Sequence, residues 1–442
     1  MSVQQLDTSP WPDAAFEDHL KPVAAAATTR RGAIATTFVQ SLSLLATRRF
    51  GTFCIASLLS NLGTWAQQVA EPWLLLSLGA SSFLIGLDSF AMSAPVWILT
   101  LLGGVLADRT DRRRVITICQ SVQMLCPILI VILLLTGTVQ PWLIIVLSSV
   151  VGITDALSMP SFQTIVPSIV KHDQIPSALA LSATQFNLSR ILGPALGGVL
   201  MGTVGAIGCF AANAASYLPF IWVALWILPS GAASVPSDQA WNHRRLWGGL
   251  QDILGIPRLR GALVTVLVTS TLCAPLIVFC PVLIKNVLLR GVSDFSLSIG
   301  AFGIGGLLGA VALLGVTASR DRRSISSGFA AAYALVVILA AVNPWFWALP
   351  LLLVLAGIAM AASNISANAL LQATAAPELR GQAISLYMLA MRGGLSIGSL
   401  ATGLSVNVFG LREALLINGA LALVAQIALG RRWLTTAENS PA

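Results

Sequence analysis

The chain reads as an all-α polytopic membrane protein, with twelve transmembrane helices forming two pseudo-symmetric six-helix bundles. Composition, the spacing of the apolar runs and an internal repeat carry that reading. Of the 442 residues, 56% are hydrophobic and only 10% charged, with a mean hydropathy of +0.84. Soluble domains carry about 25% charged residues. Uncharged apolar runs of about 20 residues are what a ~30 Å hydrocarbon layer asks of a helix rising ~1.5 Å per residue.

Residues 1–48 open the chain with Asp7, Asp13, Glu17 and Asp18 and no basic start before an apolar core. They read as a cytoplasmic tail rather than a signal peptide, with 33–46 lying along the membrane surface. Pro, Gly and charge punctuation then divides the chain into twelve spans. They run near 50–76, 81–106, 115–136, 141–163, 177–201, 204–228, 260–284, 294–317, 325–343, 346–369, 382–407 and 411–430. Residues 49–228 form one bundle and 259–430 the other; 229–258 is a polar linker rich in Ser, Pro, Trp and charge, and 431–442 is a C-terminal tail.

Orientation follows from the basic residues. With the N-terminus inside, 20 of the 25 Lys and Arg fall in cytoplasmic segments and three outside (Lys285, Arg290, Arg412). That asymmetry puts both termini in the cytoplasm. It also accounts for the net charge of +8 without nucleic acid as a partner. The six cysteines lie inside apolar runs without metal spacing, and the three histidines lie outside them and far apart. No metal, cofactor or embedded catalytic set is expected.

The halves echo one another. "GVLADRTDRRRV" (Gly104–Val115) returns as "GVTASRDRRSI" (Gly315–Ile325), and "VQPW" (Val139–Trp142) as "VNPW" (Val342–Trp345). Gln163 is matched by Gln372, and Arg190 by Arg392, at offsets of 211, 203, 209 and 202. A duplicated bundle with a site between its halves is an architecture of secondary transporters.

"GVLADRTDRR" after the second span resembles the loop motif of the major facilitator superfamily. Gly104, Leu106, Asp108, Arg109, Arg112 and Arg113 match it; Asp111 stands where most members carry glycine. "VAEPWLL", "SRILGPALGG" and "PELRGQAISLY" resemble the branch of siderophore exporters that carry enterobactin. The resemblance implies a gate in which Asp108 holds the second helix against the start of the eleventh, at Arg380. It also implies an exporter motif in the fifth span, at Gly193, Pro194, Gly197 and Gly198, with Ser189 replacing its first glycine. The fourth-span motif of proton antiporters is absent, with Ser148 near the place of its arginine.

Intramembrane ionisable residues are functional candidates by default. Glu71 and Asp88 lie equally far from the turn joining the first two spans. If they also share a face, repulsion and desolvation make one a proton acceptor. Asp155 is a further proton-coupling candidate. Arg190 and Arg392, ~15–20 Å deep, face a central cavity and hold an anionic or oxygen-rich substrate. Asp155 could instead neutralise Arg190. Gln67, Asn187, Asn364 and Asn368 join the substrate-binding candidates, with Asn61 and Gln68 as further polar groups. The expected function is proton-driven export of a small organic molecule, a siderophore first, by a monomer in the lipid bilayer. Broad drug efflux is the alternative; a metabolite importer or a lipid flippase ranks lower.

Overall fold

The structure, a computed structural model, describes residues 43–228, 251–314, 322–376 and 379–438. Among them the side chains of 97, 98, 100–109, 163, 172, 176, 380, 381 and 431–438 lie outside the description. Residues 1–42 of the expected N-terminal tail, most of the linker, and the side chains of Asp108, Arg109 and Arg380 therefore fall outside it.

Every long element is a helix. In chain order they are α1 (Arg48–Ser77), α2 (Ser82–Arg109), α3 (Arg112–Leu135), α4 (Pro141–Ser168), α5 (Ile175–Thr203) and α6 (Gly205–Trp226). After the linker come α7 (Pro257–Val278), α8 (Val292–Leu314), α9 (Arg322–Val342), α10 (Ala348–Thr374), α11 (Arg380–Phe409) and α12 (Leu411–Glu438). Among the described residues, nine are long and apolar enough to cross a membrane: α3, α4 and α6–α12. α1 and α5 match them in length, but carry Gln67, Gln68 and Glu71, and Gln185, Asn187 and Arg190, respectively.

Local chemistry sets the ends. Gly79, Gly205 and Gly410 adopt positive φ at the turns after α1, before α6 and before α12, where a Cβ would strain the backbone. Pro141 opens α4 at a position that needs no N–H. The two echoed "PW" turns close alike: Gln140 Oε1 accepts from the Trp142 indole at 2.9 Å, and Asn343 Oδ1 from the Trp345 amide at 3.1 Å.

Two sequence expectations need correction. The third helix starts at Arg112, not near 115, because the Asp111 carboxylate caps it by accepting from Arg113 N at 3.0 Å. The seventh span is broken: π turns at Thr269–Cys273 and Leu283–Val287 flank Pro275 and Pro281, whose missing N–H groups interrupt the ladder. At the N-terminus only the last residues of the expected surface segment are described: Leu44 is buried against the bundle, while Ser43 and Ala46 are exposed.

Within each half the same neighbours pack: α2 on α4 as α8 on α10, α1 on α5 as α7 on α11, and α3 on α6 as α9 on α12. The halves join through two symmetric seams, α2 against α11 and α5 against α8. The end carrying the start of α1 and the finish of α12 is here called proximal, and the opposite end distal. Distally one apolar core runs through both halves, including Leu74, Phe279, Phe295 and Leu411. There Trp73 stacks on Phe295 at 4.8 Å, and Lys285 Nζ donates to Leu76 O at 3.5 Å. Proximally the described side chains form two separate cores, one from α1 and α3–α6, the other from α7, α10 and α11. Among the described side chains, the halves thus share one core distally and keep separate cores proximally.

Candidate functional site

Two polar clusters lie between the shared distal core and the separate proximal ones. The first belongs to the N-terminal half. Glu71 on α1 and Asp88 on α2 are both buried, at 4% and 6% exposure. Ser148 on α4 donates to Glu71 Oε1 at 2.6 Å and also neighbours Asp88, so the two carboxyls meet around one hydroxyl. Gln67, one turn before Glu71, donates to its Oε2 at 3.5 Å and accepts from Asn213 of α6 at 2.5 Å. Asp88 Oδ1 is buried without a hydrogen-bond partner. Gln67 thus spends its amide on Glu71 and Asn213. Ser148 and Asn213 were not singled out as site residues from the sequence; a serine or asparagine in an apolar run carries no periodic signal.

The second cluster bridges the halves at mid-depth. Arg392 of α11 pairs with Asp155 of α4 through Nη1 and Oδ2, and the two side chains keep 25% and 37% exposure. Asp155 thus neutralises Arg392, not Arg190. Arg190 on α5 is buried at 8% exposure; its Nη1 contacts the Met391 sulfur and its Nε has no partner. Arg190 and Arg392 therefore approach the same stretch of α11 in different company.

The remaining polar candidates are dispersed. Asn187 donates to Ala183 O at 2.8 Å within its own helix, and Asn368 accepts from Gln372 at 3.0 Å. Asn364 is buried with its Oδ1 unpartnered. Gln68 reaches the Met92 sulfur, and Asn61 is half-buried on α1.

The α5 glycines are sites of close approach. A Cβ on Gly193 would lie 2.2 Å from Trp65 Cβ, and one on Gly197 2.8 Å from Ala66 O, both on α1. On Gly198 it would lie 2.6 Å from Ser296 O of α8, across the seam. Pro194 falls between these contacts, inside the helix. At the proximal end α2 finishes at Arg109, and Arg113 Nη2 donates to Leu225 O at the last turn of α6, a favourable place for a cation. Arg112 Nε is buried without a partner.

Two helical bundles joined by twin seams around a charged centre define a polytopic membrane transporter. The chain belongs to the family of transmembrane secretion effectors, within the major facilitator superfamily, whose model it matches over residues 39–441. It is 30% identical to the staphyloferrin A transporter of Staphylococcus aureus over 42% of this chain and 47% of that protein. It is 27% identical to the multidrug efflux pump Tap of Mycolicibacterium fortuitum over 83% of this chain and 93% of that one. Against an enterobactin exporter of Shigella boydii it is 26% identical, over 50% and 53% of the two chains. With the siderophore transporters the match therefore spans about half of each relative's length. Among solved structures it is similar to the nucleoside transporter NupG (TM-score 0.69, 14% identity, 88% and 99% coverage). The D-xylose–proton symporter is also similar (0.67, 14%, 86% and 97%). Those identities speak for the fold alone. These relatives and neighbours are transporters, not enzymes.

Proposed function

We propose that the chain exports a small organic molecule across a bacterial inner membrane, in exchange for protons and by alternating access. On this reading twelve helices span the bilayer as a monomer, with both termini and the proximal end cytoplasmic. The observation that carries it is the charged cluster Arg190, Asp155 and Arg392, placed at mid-depth where the two bundles face one another. Ionisable groups at such depth are retained for substrates or protons.

Proton coupling falls to Glu71 and Asp88. Two carboxylates around one hydroxyl, both out of water, repel strongly, and a single shared proton removes that repulsion. Their place behind the shared distal core suits proton loading when that core opens. Asp155 instead pairs with Arg392 across the two halves.

A siderophore is the favoured cargo: its carboxylate, catecholate or hydroxamate oxygens suit a guanidinium, and two siderophore transporters are among the relatives. Multidrug efflux is the second reading, favoured by the likeness to Tap over 83% of the chain. The test is deletion of the gene under iron starvation. Loss of secreted iron chelator supports the first reading; unchanged chelator with heightened sensitivity to dyes and antibiotics selects the second. Neither change refutes export.

A further inference from the structure

The three central charges do not form the symmetric arginine pair that the repeat suggests. Asp155 already holds Arg392, and both stay partly exposed between the halves. Arg190 meets no carboxylate among the described residues: its Nη1 lies on the Met391 thioether, a weak acceptor, and its Nε is unsatisfied. A guanidinium with 8% exposure and no anion beside it is an incomplete site. Met391 adjoins Arg392 in the chain, so this guanidinium, without a carboxylate partner among the described residues, approaches the helix that carries the ion pair.

Resting on the transport reading above, we propose that the central site selects ligands by charge number, taking one negatively charged group at Arg190 while Asp155 excludes a second from Arg392. A carboxylate arriving at Arg190 replaces the sulfur of Met391, an unbranched side chain that repacks readily. Its oxygens provide the planar acceptor that a guanidinium fits. A second anionic group on the same ligand must displace Asp155 and strand that carboxylate beside its own negative charge. The preferred ligand therefore offers a single anionic group at a time, with neutral polar or apolar bulk around it.

The test uses full-length protein in nanodiscs and three probes built on one ring: benzoate, phthalate and benzene-1,3,5-tricarboxylate. Binding is read by tryptophan fluorescence and by thermal shift. The wild type should bind benzoate at least tenfold more tightly than either polyanion. Asp155→Asn, which keeps the shape of the side chain, should reverse that order in favour of phthalate. Arg190→Gln should weaken benzoate at least tenfold with the Asp155–Arg392 pair in place. Wild-type preference for a polyanion, an unchanged order in Asp155→Asn, full benzoate affinity in Arg190→Gln, or no benzoate binding overturns the inference. Export from intact cells is measured separately. Export without the charge ranking overturns this inference alone, and the ranking without export overturns the transport reading alone.

Discussion

At the residue scale, the most telling group is Ser148. Its hydroxyl donates to Glu71 at 2.6 Å and sits beside Asp88, so it fixes the geometry in which the carboxyls meet. Glu71→Gln should abolish export against a gradient while leaving downhill counterflow in proteoliposomes, because neutral glutamine cannot release a proton. Loss of both modes, with the protein still folded, would assign Glu71 a structural part instead. Ser148→Ala should weaken coupling less, since a hydroxyl is lost but no charge. The ion pair invites a second measurement. With side chains 25% and 37% exposed, Arg392 and Asp155 should couple by about 1 kcal/mol in a double-mutant cycle on thermal stability. A fully buried pair broken on one side costs about 3–5 kcal/mol. Arg190→Ala and Arg392→Ala should each abolish export with protein retained in the membrane; export retained by both would remove the anion site. In the sequence, the depth of Glu71, Asp88, Arg190 and Arg392 was legible from helix rise. Which carboxylate meets which arginine was not, since Asp155 and Arg392 lie far apart in the chain and meet only across the interface.

At the element scale, α5 works as a spacer between α1 and α8, and its glycines set the distance on each side. Adding a Cβ at Gly198 drives it to 2.6 Å from the Ser296 carbonyl, a backbone atom that cannot swing away. Gly198→Ala should therefore lower the melting temperature, with an overpacking cost of about 1–3 kcal/mol. Gly300→Ala, on the facing helix, meets nothing within 4 Å and should be neutral or stabilising by about 0.5–1 kcal/mol. Equal losses at both positions would mean that the seam is not the constraint. The exporter-like motif marked these glycines in the sequence, yet not that neighbouring ones serve opposite faces, Gly197 on α1 and Gly198 on α8. Helix boundaries were legible where Pro and Gly punctuate. They were less so in the seventh helix, where Pro275 and Pro281 produce π turns rather than an end. The gating motif shows the same limit: Arg113 spends its guanidinium on the end of α6, a contact between helices remote in sequence.

At the scale of the whole molecule, the repeat seen in short echoed motifs returns as equivalent packing in each half and as two symmetric seams. The conformation was not legible. Nothing in hydropathy distinguishes a distal core shared by both halves from proximal cores that stay apart. The distal contacts of Trp73, Phe295 and Lys285 should open when the proximal ends meet. The most direct measurement replaces the six buried cysteines by alanine. Spin labels then go at Ser168 and Thr374 for the proximal ends, or at Ser77 and Val292 for the distal ones. Pulsed electron–electron distances are taken in liposomes across a range of pH. Rocking about the central charges predicts two opposed populations: as the proximal distance shortens, the distal distance lengthens. Distances that stay fixed, or that shorten and lengthen together, would contradict it.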